Sequence, residues 1–184
     1  MKLFRNFAVS ATAVAALVSA TMAFANPDVG GAPMYENKNI VENAINSKDH
    51  TTLVAAVKAA GLVDTLMSPG PFTVFAPVNA AFEKLPAGTV DTLLKPENKT
   101  SLTSVLTYHV VPGKLSIEEL EKDAKNNGGK AILTTVQGEK LEVFPKGRKL
   151  EIKDAKGDVA SVTIGDVFQS NGVIHVIDTV LLPK

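Results

Sequence analysis

The run Gly172-Val-Ile-His-Val-Ile177 is apolar at alternate and intervening positions alike, so a strand built from it carries hydrophobic side chains on both faces. Such a strand belongs in a sheet interior, covered on both sides. An Asn171-Gly172 turn feeds it, and it closes the phrase Asp166-Val-Phe-Gln-Ser-Asn171-Gly-Val-Ile-His175-Val-Ile-Asp-Thr-Val-Leu-Leu-Pro183. The covering layer has to come from earlier in the chain.

The first half supplies helices. Ile40, Val41, Ala44 and Ile45 recur at helical spacing. Leu53, Val54, Val57 and Ala60 do the same behind a polar start, and Gly61 stops or bends that helix. A short strand is expected at Phe72–Ala76, between Pro71 and Pro77. Three short helices follow at 79–84, 89–94 and 99–107, the first with Asn79 as its N-cap. Ser116-Ile-Glu-Glu119 reads as a capping box, opening a helix that ends at Asn127-Gly-Gly129. Beyond it the period changes to two. Strand-like runs at 131–136, 140–144, 149–152 and 159–164 are separated by turns on Gly138, Gly147 and Gly157, too short for crossovers, so the meander is antiparallel. Helices first and hairpins later make an α+β domain.

The N-terminus runs Met1-Lys-Leu-Phe-Arg5, then an apolar stretch from Phe7 to Leu17, then Ala23-Phe-Ala25, which reads as a secretory signal cleaved after Ala25. A membrane anchor needs about 20 apolar residues, and Ser10, Thr12, Ser19 and Thr21 dilute this segment. No membrane span is expected after cleavage, and the protein is expected to be secreted or periplasmic. Residues 26–39 are rich in Gly, Pro and polar side chains without a repeating apolar face, and are expected to form a flexible leader to a domain at 40–184. Cleavage leaves 159 residues, enough for one core that buries about 70% of the unfolded surface. It also leaves 17 basic against 19 acidic residues, net −2, which gives no footprint for nucleic acid. The absence of cysteine excludes thiol catalysis, thiolate metal sites and a lipid anchor on cysteine.

Two further phrases precede the C-terminal one: Gly70-Pro-Phe-Thr-Val-Phe-Ala-Pro-Val-Asn-Ala-Ala-Phe-Glu-Lys-Leu85 and Leu106-Thr-Tyr-His-Val-Val-Pro-Gly113. With these three in order, the chain resembles fasciclin domains from about Ile40 to Lys184. The resemblance implies a β-wedge or sandwich of antiparallel hairpins with a layer of short helices, the first and last phrases pairing near its centre. It also implies a non-catalytic extracellular adhesion module that binds a protein or glycan and needs no cofactor. In animal members an Asp-Ile dipeptide before the Asn-Gly turn is tied to integrin recognition; Asp166 and Val167 match it, with a shortened apolar partner. The plainer reading of Asp166 is a turn residue capping a short helical turn. The Tyr108-His109 pair is linked in the family to packing and to adhesion, and Tyr108 reads first as a core aromatic with a tethered hydroxyl. Val78 stands where the family usually places a hydroxyl residue.

The remaining candidates are bland. His175, flanked by apolar residues, is a core histidine before it is a base or ligand, and His50 in a polar helix start reads as solvated. Gly-x-Ser-x-Gly, His-Glu-x-x-His, phosphate-loop and Ser-x-x-Lys signatures are all missing. The three histidines have no metal-ligand spacing, and no catalytic or metal-binding residue is assigned. Asn98-Lys-Thr100 matches a glycosylation acceptor of low specificity, and Lys146-Gly-Arg148-Lys149 is a basic hairpin tip. Two rivals to adhesion stay open. A periplasmic carrier of a small molecule or lipid needs an apolar pocket between helices and sheet, and a hydrolase needs a polar cleft around a histidine.

Overall fold

The computed structural model describes residues 26–147 and 149–184, so the expected signal segment lies outside the described residues. The helices are α1 (Ile40–Ala44), α2 (Thr51–Ala60), α3 (Val63–Met67), α4 (Asn79–Glu83), α5 (Thr89–Leu93), α6 (Lys99–Tyr108) and α7 (Ile117–Asn126). The strands are β1 (Phe72–Pro77), β2 (Val110–Pro112), β3 (Ala131–Thr134), β4 (Lys140–Lys146), β5 (Lys149–Lys153), β6 (Val159–Gln169) and β7 (Gly172–Ile177). They form one sheet in the order β2-β1-β7-β6-β5-β4-β3. The pairing of β1 with β7 is parallel, Phe72 opposite Gly172 through Pro77 opposite Ile177, and the other pairs are antiparallel.

Strand β6 turns this sheet into a wedge. Its first residues pair with β5 and the rest with β7, and the register shifts twice, between Val162 and Ile164 and between Ile164 and Val167. Such bulges bend a strand and increase its twist. Two cores result. One lies under the helical layer, where α1, α2, α3 and α6 pack on Val74, Ala76, Val167, Ile174 and Val176. The other fills the wedge, where Phe75, Tyr108, Val111 and Ile177 meet Leu120 and the inward residues of β3 to β6. Every residue of β7 is buried, alternate side chains entering the two cores.

Local signals hold where they are self-contained. In α7 Ser116 accepts from the Glu119 amide and Glu119 reaches back to the Ser116 amide, closing the capping box. Helix α2 stops at Gly61, in the left-handed region at φ 72°. Asn79 behaves otherwise. It is the first residue of α4 rather than its cap, and its side chain serves α2: Oδ1 accepts from the Thr52 amide at 3.0 Å and Nδ2 donates to the Lys48 carbonyl at 2.9 Å.

The expectation of a flexible leader at 26–39 gives way. Val29 and Met34 are each 2% exposed and belong to the helical-layer core. Asp28 bridges Pro33 around Gly30 and Gly31, and the Asn43 side chain holds both the amide and the carbonyl of Tyr35. Asn43 is held in turn by the Gln169 side chain, and Ser170 donates its amide to the Lys38 carbonyl at 2.9 Å. Two anchoring side chains five residues apart make no periodic stripe, so pattern reading passes over them. Starting the chain at Lys38 is therefore expected to cost on the order of 3 to 5 kcal/mol, the burial of one valine and one methionine. Urea denaturation of both lengths checks this; equal midpoints would show that the docked segment contributes nothing.

Candidate functional site

The β6 bulge, β7 and the start of α7 meet around His175. Its ring is fully buried, stacked on Phe75 with centroids 5.7 Å apart. Nε2 donates to the Leu115 carbonyl at 2.8 Å, and Nδ1 accepts from the Asp166 amide at 3.2 Å. This uses both nitrogens of one neutral tautomer. Asp166 has φ 54°, the only non-glycine in the left-handed region among the described residues. Its Oδ1 accepts from the Ile117 amide at 2.8 Å, one of the unpaired donors at the start of α7. The expected turn cap is thus a bulge residue inside a strand, and the helix it caps lies 49 positions away in sequence.

His109 follows the same logic at the other end of the wedge. It is 2% exposed, its Nδ1 donates to the Val105 carbonyl at 2.8 Å, and its Nε2 accepts from the Leu181 amide at 3.0 Å. Tyr108 is fully buried; its hydroxyl donates to the Lys140 carbonyl at 3.0 Å and accepts from the Ala155 amide at 2.9 Å, and burial pushes its pKa up to about 12. Asp154 gathers the amides of Lys156, Gly157 and Asp158 on Oδ1 and that of Leu182 on Oδ2. Together His109 and Asp154 fasten the C-terminal segment. His50, expected in solvent, is buried: Nδ1 meets Ser47 Oγ at 2.9 Å, and Nε2 has no hydrogen-bond partner. Gly30 packs directly on Ser47, the residue that holds this ring.

Of the four binding candidates, Val167, Tyr108 and His109 are closed to a partner, because their side chains fill the two cores or hold the C-terminus. Asp166 is half-buried and already accepts from Ile117. The dipeptide does not present an acid and an apolar side chain together, since Val167 is wholly buried while Asp166 is only half-buried. Among the described residues no three His, Asp or Glu side chains converge as metal ligands.

A cavity lies under the helical layer, between it and the sheet. Its volume is about 70 Å³, and α1, α2, α3 and α6 line it from above while β1, β2 and β7 form its floor. The lining is almost wholly apolar. Its few polar members are Lys58, Thr65, Thr107 and His109, and the nitrogens of His109 are already taken. The exposed residues Lys58, Thr65 and Val136 carry the lining to the surface.

The result is an α+β wedge in which His109, His175 and Asp154 fasten backbone segments to one another. The chain belongs to the fasciclin domain family, whose model matches residues 48–183. It is 48% identical over 146 residues to Protein sll1483 of Synechocystis sp., covering 78% of this chain and 73% of that one. It is 41% identical over 145 residues to Immunogenic protein MPB70 of Mycobacterium bovis, covering 76% and 66%. Its fold is similar to the FAS1 domain pair of the insect cell adhesion molecule Fasciclin I, with a TM-score of 0.70 at 22% identity over 79% of this chain and 51% of that one. No helix of the described residues is long and apolar enough to cross a membrane.

The buried histidines make stability depend on pH. Burial lowers the pKa of His50 and His175 and takes that of His109 to about 4, outweighing the raising pull of the carbonyls beside them. An unfolded histidine titrates near 6.5. Below that pH the unfolded chain binds protons that the folded chain refuses, so the stability is fully present above about pH 6.5 and is lost as pH falls towards 4. His109 alone accounts for about 3 kcal/mol over that window. Urea midpoints measured from pH 8 to pH 5 should fall, and less steeply in His109→Gln; a flat profile in the parent would contradict the buried neutral rings.

Proposed function

We propose that the protein is an exported, non-catalytic binding module that acts in adhesion at a cell surface or matrix, with an extracellular protein or glycan as partner. The observation that carries this reading is the employment of its reactive groups: His109, His175 and Asp154 have their hydrogen-bonding capacity consumed by backbone groups that hold the wedge together. Kinship with fasciclin domains, one of them in an insect cell adhesion molecule, supports the same reading. The contact surface includes the rim around Asp166, where loops and bulges are positioned by a rigid sheet. Val167, Tyr108 and His109 act behind that surface, as packing.

Beads coated with the protein should be retained on matrix- and polysaccharide-coated surfaces better than albumin-coated beads. Asp166→Ala should lower retention while costing about 1 kcal/mol of stability, the scale of a lost helix cap. Retention of the parent at the albumin level would end the adhesion reading; undiminished retention of a folded Asp166→Ala variant would move the contact elsewhere.

A second reading, a periplasmic carrier of a small apolar molecule or lipid, is favoured by the cavity beneath the helical layer, the arrangement such a carrier needs.

A further inference from the structure

The cavity has a shape and a charge that narrow its ligand. The cavity, about 70 Å³, is a seam between the helical layer and the sheet, with lining residues drawn from four helices and three strands. Its walls are chiefly Val, Leu, Ile, Ala and Phe, with no unpaired polar group inside to hold a water. The part of a ligand seated there is apolar, and a volume of about 70 Å³, well below the ~150 Å³ of a cavity that accepts benzene, admits a chain rather than a ring system.

One charged residue reaches the seam. Lys58, in the last turn of α2, lends its stem to the lining and is exposed, and no carboxylate among the described residues pairs with it. The Lys99 ammonium lies against Gly61 at the same end of α2. Lys58 therefore brings a positive charge to the place where the seam meets solvent.

We propose that the seam seats the hydrocarbon tail of a single-chain amphiphile with an anionic head, of the fatty-acid type, its carboxylate held by Lys58. This rests on the carrier reading above. The seam as it stands is about half the ~150 Å³ of a cavity that accepts benzene, so it takes a short stretch of tail. The lining runs out to solvent at Lys58, Thr65 and Val136, so the rest of the tail lies along the open rim of the seam.

Isothermal titration of the purified protein with dodecanoate, dodecanol and dodecyltrimethylammonium, each below its micelle concentration, tests this. Saturable binding of dodecanoate is expected, about tenfold tighter than dodecanol, the scale of one charge-assisted hydrogen bond. Lys58→Gln should abolish that preference and leave dodecanol affinity unchanged. Ala44→Phe, at a half-exposed lining position, should weaken both ligands without changing the melting temperature. Equal affinity for dodecanoate and dodecanol in the parent overturns the assignment of the head group and leaves an apolar carrier standing. Absence of saturable binding by all three ligands, or binding untouched by Ala44→Phe, overturns the seam as a ligand site and the carrier reading with it.

Discussion

Asn171 is the joint on which the helical layer and the central strands depend. Its Oδ1 accepts from the amide of Ile40 at 3.0 Å, an unpaired donor at the start of α1. Its Nδ2 donates to the carbonyls of Leu66 and Ser68, at 2.7 and 2.9 Å, where α3 ends. Its backbone carbonyl accepts from Phe72 at 3.0 Å, where β1 begins. The side chain is 5% exposed, so each of these groups would otherwise be short of a partner away from water, at about 1 to 3 kcal/mol apiece. One amide thus fixes two helix ends against the only parallel pair of the sheet. The close approach this requires explains the neighbouring glycines. A Cβ on Gly172 would overlap the Phe72 carbonyl, and one on Gly70 would overlap the Asn171 carbonyl.

The same economy runs through the wedge. His175 ties the β6 bulge to the connection before α7, His109 ties α6 to the C-terminal segment, and Asn79 ties α4 to α2. Each is a polar side chain that answers backbone groups left open by short or bent elements. Several helices here have only five residues, too short to be stable by propensity alone. Long-range side-chain caps and core packing hold them. His109, His175 and Asp154, residue types often suspected of chemistry, are thus spent on holding backbone segments together.

Much of the fold was legible because its signals are local. The capping box at Ser116, the stop at Gly61, the meander of period-two runs and the two-faced strand at 172–177 each depend on residues within a few positions of one another. The α+β class and the central strand followed from them, and the family from the resemblance carried by three phrases in order. The candidate site was far less legible. Val167 and Tyr108 were right residue types in matching motifs, but burial removes them from any contact surface, and His50 read as solvated from its polar helix start although its ring is buried.

The sequence by itself therefore determined most of the helices and strands, though not α3, β2 or the second half of β6, and which strand lies inside, since backbone periodicity and capping are written within a turn or a pleat. Only the tertiary structure decided what Asn171, Asp166 and Asn79 are for, whether Val29 and Met34 belong to the core, and where an apolar seam is left between helices and sheet. Those outcomes rest on partners such as Ile40 for Asn171, 131 positions apart, and Ile117 for Asp166, 49 apart. A buried polar group is satisfied by whatever the fold brings within 3 Å of it, and that proximity has no periodic trace along the chain.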